Sequence, residues 1–277
     1  MKIAIIGSGN IGSATASLLI NSGICKSIAL VDLSLDFAKG RAKDLLTMAT
    51  ILGKEVDVFA TSDYEELKKF DIFVITAGVT RKVGQSRDEL LSINAKIIKE
   101  IAINIKKLNS NPLIIVVSNP VDILTFVMQK EGGFDPKRVI GMAGELDSAR
   151  AAIAYKELVG KKKLPYILGL HNDKMSFVYQ EEIEKSKKEP FEKEVITGGA
   201  KITELTKTSA YFAPAGAIYK MIEAILHKKV VIASVYNDGY YFGRRVELCK
   251  DGVSKILKDD ICLETIKKEL DLTLAKL

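Results

Sequence analysis

Residues 2–19, "KIAIIGSGNIGSATASLL", decide the fold. An isoleucine-rich run of strand length ends in three glycines, Gly7, Gly9 and Gly12, and apolar residues at helical spacing follow over 11–22. Each glycine has its own mechanical purpose. Gly7 permits the tight turn, Gly9 lets the backbone approach a pyrophosphate, and Gly12 lets the helix lie close against the strand. The helix opens through Asn10 and Ile11, and its free N-terminal amides favour phosphate charge. Asp32 closes the next apolar run, "IALVD", twenty positions after Gly12. A carboxylate there accepts both ribose hydroxyls of an adenosine and repels a 2′-phosphate, which points to NAD rather than NADP, with Ser34 leaving some room for the phosphorylated form. The competing reading is a purely structural glycine turn beside a solvated aspartate.

The same alternation runs on to about residue 141. "SIALV" (27–31), "VDVFA" (56–60), "DIFVITA" (71–77), "PLIIVVS" (112–118) and "RVIGM" (138–142) are short, rich in Ile and Val, and read as buried parallel strands. Between them, 36–50, 88–108 and 121–130 carry helical periodicity. This βαβ rhythm specifies a Rossmann-type doubly wound parallel sheet, which binds ligands beyond the carboxyl ends of its strands. Past residue 141 the pattern changes. It reads as a helix over 146–160, a strand at 165–170, a charged region over 180–195 and a helix over 211–226. Then come the runs "KVVIASVY" and "RRVELC", an antiparallel hairpin around the turn "NDGYYFG", and a closing amphipathic helix in "LETIKKELDLTLAKL". The expected organisation is an α/β chain with residues 1–141 as an NAD-binding domain and 142–277 as a second, mixed α/β substrate-binding and catalytic domain.

With 277 residues, 47% hydrophobic and 27% charged, the chain can bury one large core or two smaller ones. Its net charge of +6 is spread over scattered lysines without interleaved aromatic residues, so nucleic acid is not the expected partner and small anionic substrates are. Cys25, Cys249 and Cys262 are odd in number and far apart, which argues against a disulfide framework or a thiolate metal site and for a reducing compartment. No stretch is long and apolar enough for a membrane span and no signal-like region leads the chain, so a cytoplasmic protein without bound metal is expected. Abundant Ile, Lys and Glu beside absent Trp fit either a thermophile's surface or a biased genome.

Three further stretches fall near the ligand edge. "TAGVTRKVGQSRDEL" (76–90) carries Arg81 and Arg87 either side of Gly84, "SNPVD" (118–122) carries Asn119, and "GELDSAR" (144–150) carries Asp147 and Arg150. The chain has only seven arginines, so three here stand out where lysine is the default surface cation. A planar guanidinium grips a carboxylate through two parallel bonds, which lysine cannot do. Asp147 and Arg150, three apart, share one helix face, although an ordinary intrahelical ion pair has the same spacing. His171 heads the polar "HND" inside an apolar stretch. Imidazole titrates near neutrality and suits proton transfer, with a hydrogen-bonded structural histidine as the alternative. His227, at the end of an amphipathic helix before "KK", reads as structural.

Taken in order, "IIGSGNIGSATA", "LVD", "TAGVTRKVGQSRDELLSINAKI", "VVSNPVDILT", "GMAGELDSAR", "HND" and "SAYFAPAGA" resemble the lactate and malate dehydrogenase family over nearly the whole chain. The resemblance implies reversible hydride transfer between malate and NAD, giving oxaloacetate and NADH. It gives Arg150 the substrate's first carboxylate and Arg81 the second, because members with a basic residue at that position look like malate enzymes, whereas lactate enzymes tend to carry glutamine; this sequence is most similar to the archaeal malate enzymes. Arg87, delivered by closure of the loop around Gly84, would polarise the reacting carbonyl. His171 would be acid and base, with Asp147 orienting its ring and stabilising the imidazolium. Asn119 would bond near the carbonyl and the nicotinamide, and Ser209 and Ala210 would line the substrate pocket. Thr76, Ala77, Gly78, Asn94, Val117 and Asn119 would complete the cofactor edge.

"DFAKGRAKDLLTMATILG" (36–53) resembles the helix this family uses for subunit pairing, implying a homodimer or homotetramer, although a buried helix shows the same periodicity. A lactate or broader 2-hydroxyacid dehydrogenase and a catalytically silent NAD-binding protein are the alternatives. Two departures mark this chain. Asn172 stands where the family has glycine after the histidine, and asparagine tolerates the left-handed backbone such a turn uses. Residues 174–200 are shorter than usual and unlike the family sequence, so no pocket wall is assigned there.

Overall fold

The computed structural model describes residues 1–80, 86–108, 111–160 and 163–277, and of Arg87 the backbone alone. Strands β1 (Lys2–Ile6), β2 (Ser27–Val31), β3 (Asp57–Ala60), β4 (Ile72–Ile75), β5 (Leu113–Val116) and β6 (Val139–Gly141) run parallel in the order β3-β2-β1-β4-β5-β6. This is the doubly wound order, with the strand sequence reversing direction between β1 and β4. The inner strands are apolar on both faces because both are covered. In β1, Ile3 and Ile5 enter one core layer and Ala4 and Ile6 the other.

Helices α1 (Asn10–Ser22) and α2 (Leu35–Ile51) build the first layer, and α3 (Arg87–Lys107) and α4 (Val121–Gly132) the second. Their starts are written in the sequence. Ser34 caps α2 by accepting the Phe37 N–H, and Ser86 with Glu89 forms a reciprocal capping box at α3. The later part of the chain completes both layers, α7 (Phe212–His227) packing beside α1 and α8 (Leu263–Leu274) beside α4.

The sheet continues beyond β6. β9 (Val230–Asn237) joins it antiparallel at Gly141↔Ser234, and the order runs on through β10 (Tyr240–Cys249), β7 (Tyr166–Gly169) and β8 (Met175–Val178), with β11 (Gly252–Ile256) also on β10. The described residues thus form one sheet of eleven strands. The β9–β10 hairpin is as expected, but its turn is only Asp238 and Gly239, both at positive φ (58° and 92°), and "YYFG" belongs to β10. The sequence reading also missed β8 and β11, both short and at most half-buried along most of their length.

The charged region at 180–195 is largely helical. It forms the first half of α6 (Lys185–Thr206), which packs on α5 (Glu145–Leu158). Its inward stripe is narrow, Phe191 and Val195 among lysines and glutamates, and Pro190 lies inside it, so the helical period was hidden. Phe191 anchors a small separate core, meeting the Tyr155 and Phe177 rings edge-on at centroid distances of 5.3 and 5.7 Å. Phe191→Ala is therefore expected to cost about 3–5 kcal/mol, read as a lower urea midpoint at unchanged slope.

Candidate active site

The carboxyl ends of β1, β2 and β4 form the first edge of the site. Gly7 adopts φ +105°, and a Cβ there would lie 2.6 Å from the Ala77 nitrogen. A Cβ on Gly12 would lie 2.1 Å from the Gly7 carbonyl oxygen, whereas Gly9 faces open space. Thr76 tightens the turn, its hydroxyl donating to the Gly7 carbonyl at 2.7 Å. Asp32 Oδ2 accepts both the N–H and the hydroxyl of Ser8, at 2.8 and 2.9 Å, while Oδ1 meets only the Ser34 N–H at 3.4 Å. One carboxylate oxygen braces the glycine turn and the other stays available. No side chain caps α1 at Gly9. The open Gly9 backbone, uncapped amides and half-engaged carboxylate fit a dinucleotide whose pyrophosphate lies on the helix start. Ser8, fully buried here, was not singled out from sequence, since its type says nothing about which carboxylate it will meet.

From this edge a cleft of about 390 Å³ opens, lined by Ile11, Thr76, Gly78, Val117 and Asn119 on one side and by Arg150, His171, Ser209 and Ala210 on the other. Asn94 also reaches the cleft, but its amide is fully engaged. Its oxygen accepts the Val79 N–H at 2.9 Å, and its nitrogen donates to the carbonyls of Val79 and Asn119 at 3.2 and 2.9 Å. It therefore ties the two loops together rather than offering donors of its own.

At the far wall, His171 Nδ1 lies 2.5 Å from Asp147 Oδ2. Asp147 sits in the first turn of α5 with its side chain 2% exposed, and Arg150 Nη1 reaches its other oxygen at 3.4 Å. A second buried carboxylate holds the main chain of the same residue. Asp122, early in α4, accepts the His171 backbone N–H at 3.0 Å and the Ser234 hydroxyl at 2.6 Å. It sits in "SNPVD" yet was not singled out, because an acid in a helix's first turn is ordinarily there for the helix dipole.

The electrostatics follow from this packing. Burial pulls the His171 pKa down, but the charge and hydrogen bond of Asp147, helped by the charge of Asp122, outweigh it and leave the imidazole above its ordinary value. Burial pushes Asp147 up, but His171 and then Arg150 outweigh it and hold this carboxyl below the usual range. Asp122 is raised, burial exceeding what Ser234 and the His171 N–H return.

Asn172 does not take the left-handed backbone its position suggested. Its side-chain oxygen accepts the Lys174 N–H at 2.8 Å, an Asx turn, and the positive φ falls three residues earlier at Gly169. The wall that sequence left unassigned belongs to α6. Gly198 and Gly199 face the Arg150 side chain, and Gly199 lines the cleft. Adjacent glycines inside a helix cost stability, and that pair was the available signal. Arg81 and Gly84 lie outside the described residues, as does the Arg87 side chain, although Arg87 begins α3. Among the described residues no acid, His or Cys cluster could hold a metal, and no helix is long and apolar enough to cross a membrane.

A dinucleotide cradle beside a cleft that also holds a His–Asp pair is a layout that suits a nucleotide-dependent dehydrogenase. The comparisons agree. The family model described as lactate/malate dehydrogenase, NAD binding domain matches residues 1–141, and that described as its alpha/beta C-terminal domain matches 144–275. The chain belongs to the lactate/malate dehydrogenase family. A probable malate dehydrogenase of Campylobacter jejuni is 37% identical over 295 residues, covering 100% of this chain and 98% of that protein. The malate dehydrogenase of Methanosarcina mazei, an archaeal relative, is 36% identical over 97% of this chain and 95% of its own length. Among solved structures, the apo malate dehydrogenase of Picrophilus torridus aligns with TM-score 0.89 and 31% identity, covering 99% of this chain and 95% of that one. The minor L-lactate dehydrogenase of Enterococcus mundtii aligns with TM-score 0.92 and 26% identity, covering 100% and 98%.

An NMR titration of the His171 ring is expected to place its pKa above the ordinary histidine value of about 6.5, and Asp147→Asn is expected to lower it by leaving burial largely unopposed. The sign for stability follows. The imidazolium's contribution is complete below about pH 6.5 and is lost as pH rises through the higher folded-state value.

Proposed function

We propose that this chain is an NAD-dependent malate dehydrogenase, interconverting (S)-malate and oxaloacetate. The observation that carries the reading is the His171–Asp147 pair at 2.5 Å, with His171 in the wall of a cleft that Ile11 and Thr76, neighbours of the glycine cradle, also line. When bound, NAD supplies the acceptor for the hydride leaving C2 of malate. With Nδ1 engaged by Asp147, Nε2 is the ring nitrogen left to take the substrate's hydroxyl proton, and it returns that proton in the reverse direction. Asp147 holds the ring and stabilises the imidazolium formed. Arg150 grips the C1 carboxylate, Arg81 the second carboxylate, and Arg87 polarises the carbonyl oxygen as negative charge develops there. Asn119 bonds near the carbonyl, and Ser209 and Ala210 bound the pocket.

Support for malate over lactate comes from Arg81 and from the malate dehydrogenases among the curated relatives at 32–37% identity. A lactate dehydrogenase is the second reading, favoured by the likeness to the Enterococcus structure.

The division of labour at residue 141, with NAD held before it and substrate after it, belongs to the same proposal, as does assembly into a homodimer or homotetramer. In α2, Ala38, Ala42, Leu45 and Ala49 pack inward, while Phe37, Leu46 and Ile51 face outward, Ile51 being 79% exposed. That outer apolar face supports pairing with a second subunit. A cytoplasmic, reducing setting suits the three free cysteines.

Steady-state kinetics with oxaloacetate and pyruvate, each with NADH and NADPH, test the proposal. Efficient turnover is expected for oxaloacetate with NADH, and preference for pyruvate would overturn it. Arg81→Gln is expected to reduce kcat/KM for oxaloacetate about 100-fold or more by removing the grip on one carboxylate. The two directions should also separate by pH. Oxaloacetate reduction needs the imidazolium and falls as pH rises through the raised His171 pKa, whereas malate oxidation needs the neutral ring and rises through the same value.

A further inference from the structure

Four cations gather at the opposite end of the sheet from the active-site cleft. Where the chain enters β4, β5 and β6, Lys68, Lys69, Arg138 and Lys250 line a cavity of about 510 Å³ whose apolar wall includes Phe70 and Ile225. The carboxylate on its wall, Asp71, already accepts the Lys2 backbone N–H at 2.7 Å. Among the described residues none of the four cations is ion-paired.

Arg138 gives the sharper sign. Its Nε–H is buried and meets no acceptor, an arrangement native proteins rarely leave uncompensated. Arg41 and Arg244 also bury an unpartnered Nε, but Arg244 is anchored by Asn237 and the Leu257 carbonyl, and Arg41 lies over the Phe37 ring. The Arg138 side chain makes no comparable contact among the described residues. The backbone also brings Lys250 toward it. Gly252, at φ +106°, packs so tightly on the Lys137 carbonyl that a Cβ would lie 2.1 Å from its oxygen, which closes the β10–β11 turn onto this edge.

We propose that this cavity is a second anion site, taking a small ligand that carries several phosphate or carboxylate groups. The volume is in the range of small-ligand pockets. Unpaired cations beside an apolar wall concentrate positive potential, and a planar guanidinium such as that of Arg138 can grip phosphate or carboxylate oxygens through its two terminal nitrogens. The five residues of β1 put this edge about 15 Å from the glycine cradle, so occupancy here is compatible with a bound dinucleotide.

Isothermal titration of the full chain saturated with NADH, using inorganic tripolyphosphate and citrate as probes, tests the site. At least one probe is expected to bind, and the tighter one identifies the ligand's charged group. Lys69→Glu with Lys250→Glu is expected to weaken binding about tenfold or more, and Arg138→Gln several-fold. The same charge change on α6, Lys185→Glu with Lys193→Glu, is expected to leave affinity within about twofold. No binding of either probe up to about 10 mM, unchanged binding in the Lys69/Lys250 pair, or equal loss in the α6 pair would overturn the proposal.

Discussion

A carboxylate stripped of water governs this molecule. Asp147 is buried to 1% exposure, and a charge so placed is tolerable only if opposite charge and hydrogen bonds replace the lost solvent. His171 takes one of its oxygens and Arg150 approaches the other. The charge and hydrogen bond of Asp147, helped by the charge of Asp122, outweigh burial and keep the His171 imidazole protonated to higher pH than an ordinary histidine.

The fold holds this cluster in place from three directions. Asp147 comes from the first turn of α5, His171 from the turn after β7, and Asp122 from the first turn of α4. Asp122 grips the backbone of His171 rather than its ring, so the ring's position is set through the main chain and its orientation through Asp147. Through Ser234 the same carboxylate holds β9, the strand that continues the sheet into the later part of the chain. A single buried acid therefore registers His171 against the sheet that carries the glycine turn.

Much of this could be read from the residues. The parallel half was legible because strands buried on both faces are near-continuous Ile and Val, and the glycines after β1 leave their backbone demands in the sequence. The meeting of His171, Asp147 and Arg150 was legible because a histidine, an acid and an arginine are sparse enough in those stretches to stand out. What stayed hidden was whatever depends on a neighbour distant along the chain. Nothing local says that Asp122 will meet Ser234 across 112 positions, or that Asn94 will spend its whole amide on two loops. Helix α6 was obscured because Phe191 and Val195 alone mark its inner face, and Asn172 was misread because a side-chain acceptor can do what a backbone angle does elsewhere.

The meeting of β6 and β9 has a consequence for how such a chain can be divided. Two family models match the chain on either side of this seam, yet a cut after residue 141 would strip the sheet of its shared ladder. Both fragments would then present raw strand borders, the kind of surface that invites indiscriminate pairing between molecules. It would also remove α7 and α8, which roof the two layers of the parallel half. The two sides are inseparable as material, so any exchange of parts between relatives must carry the seam intact.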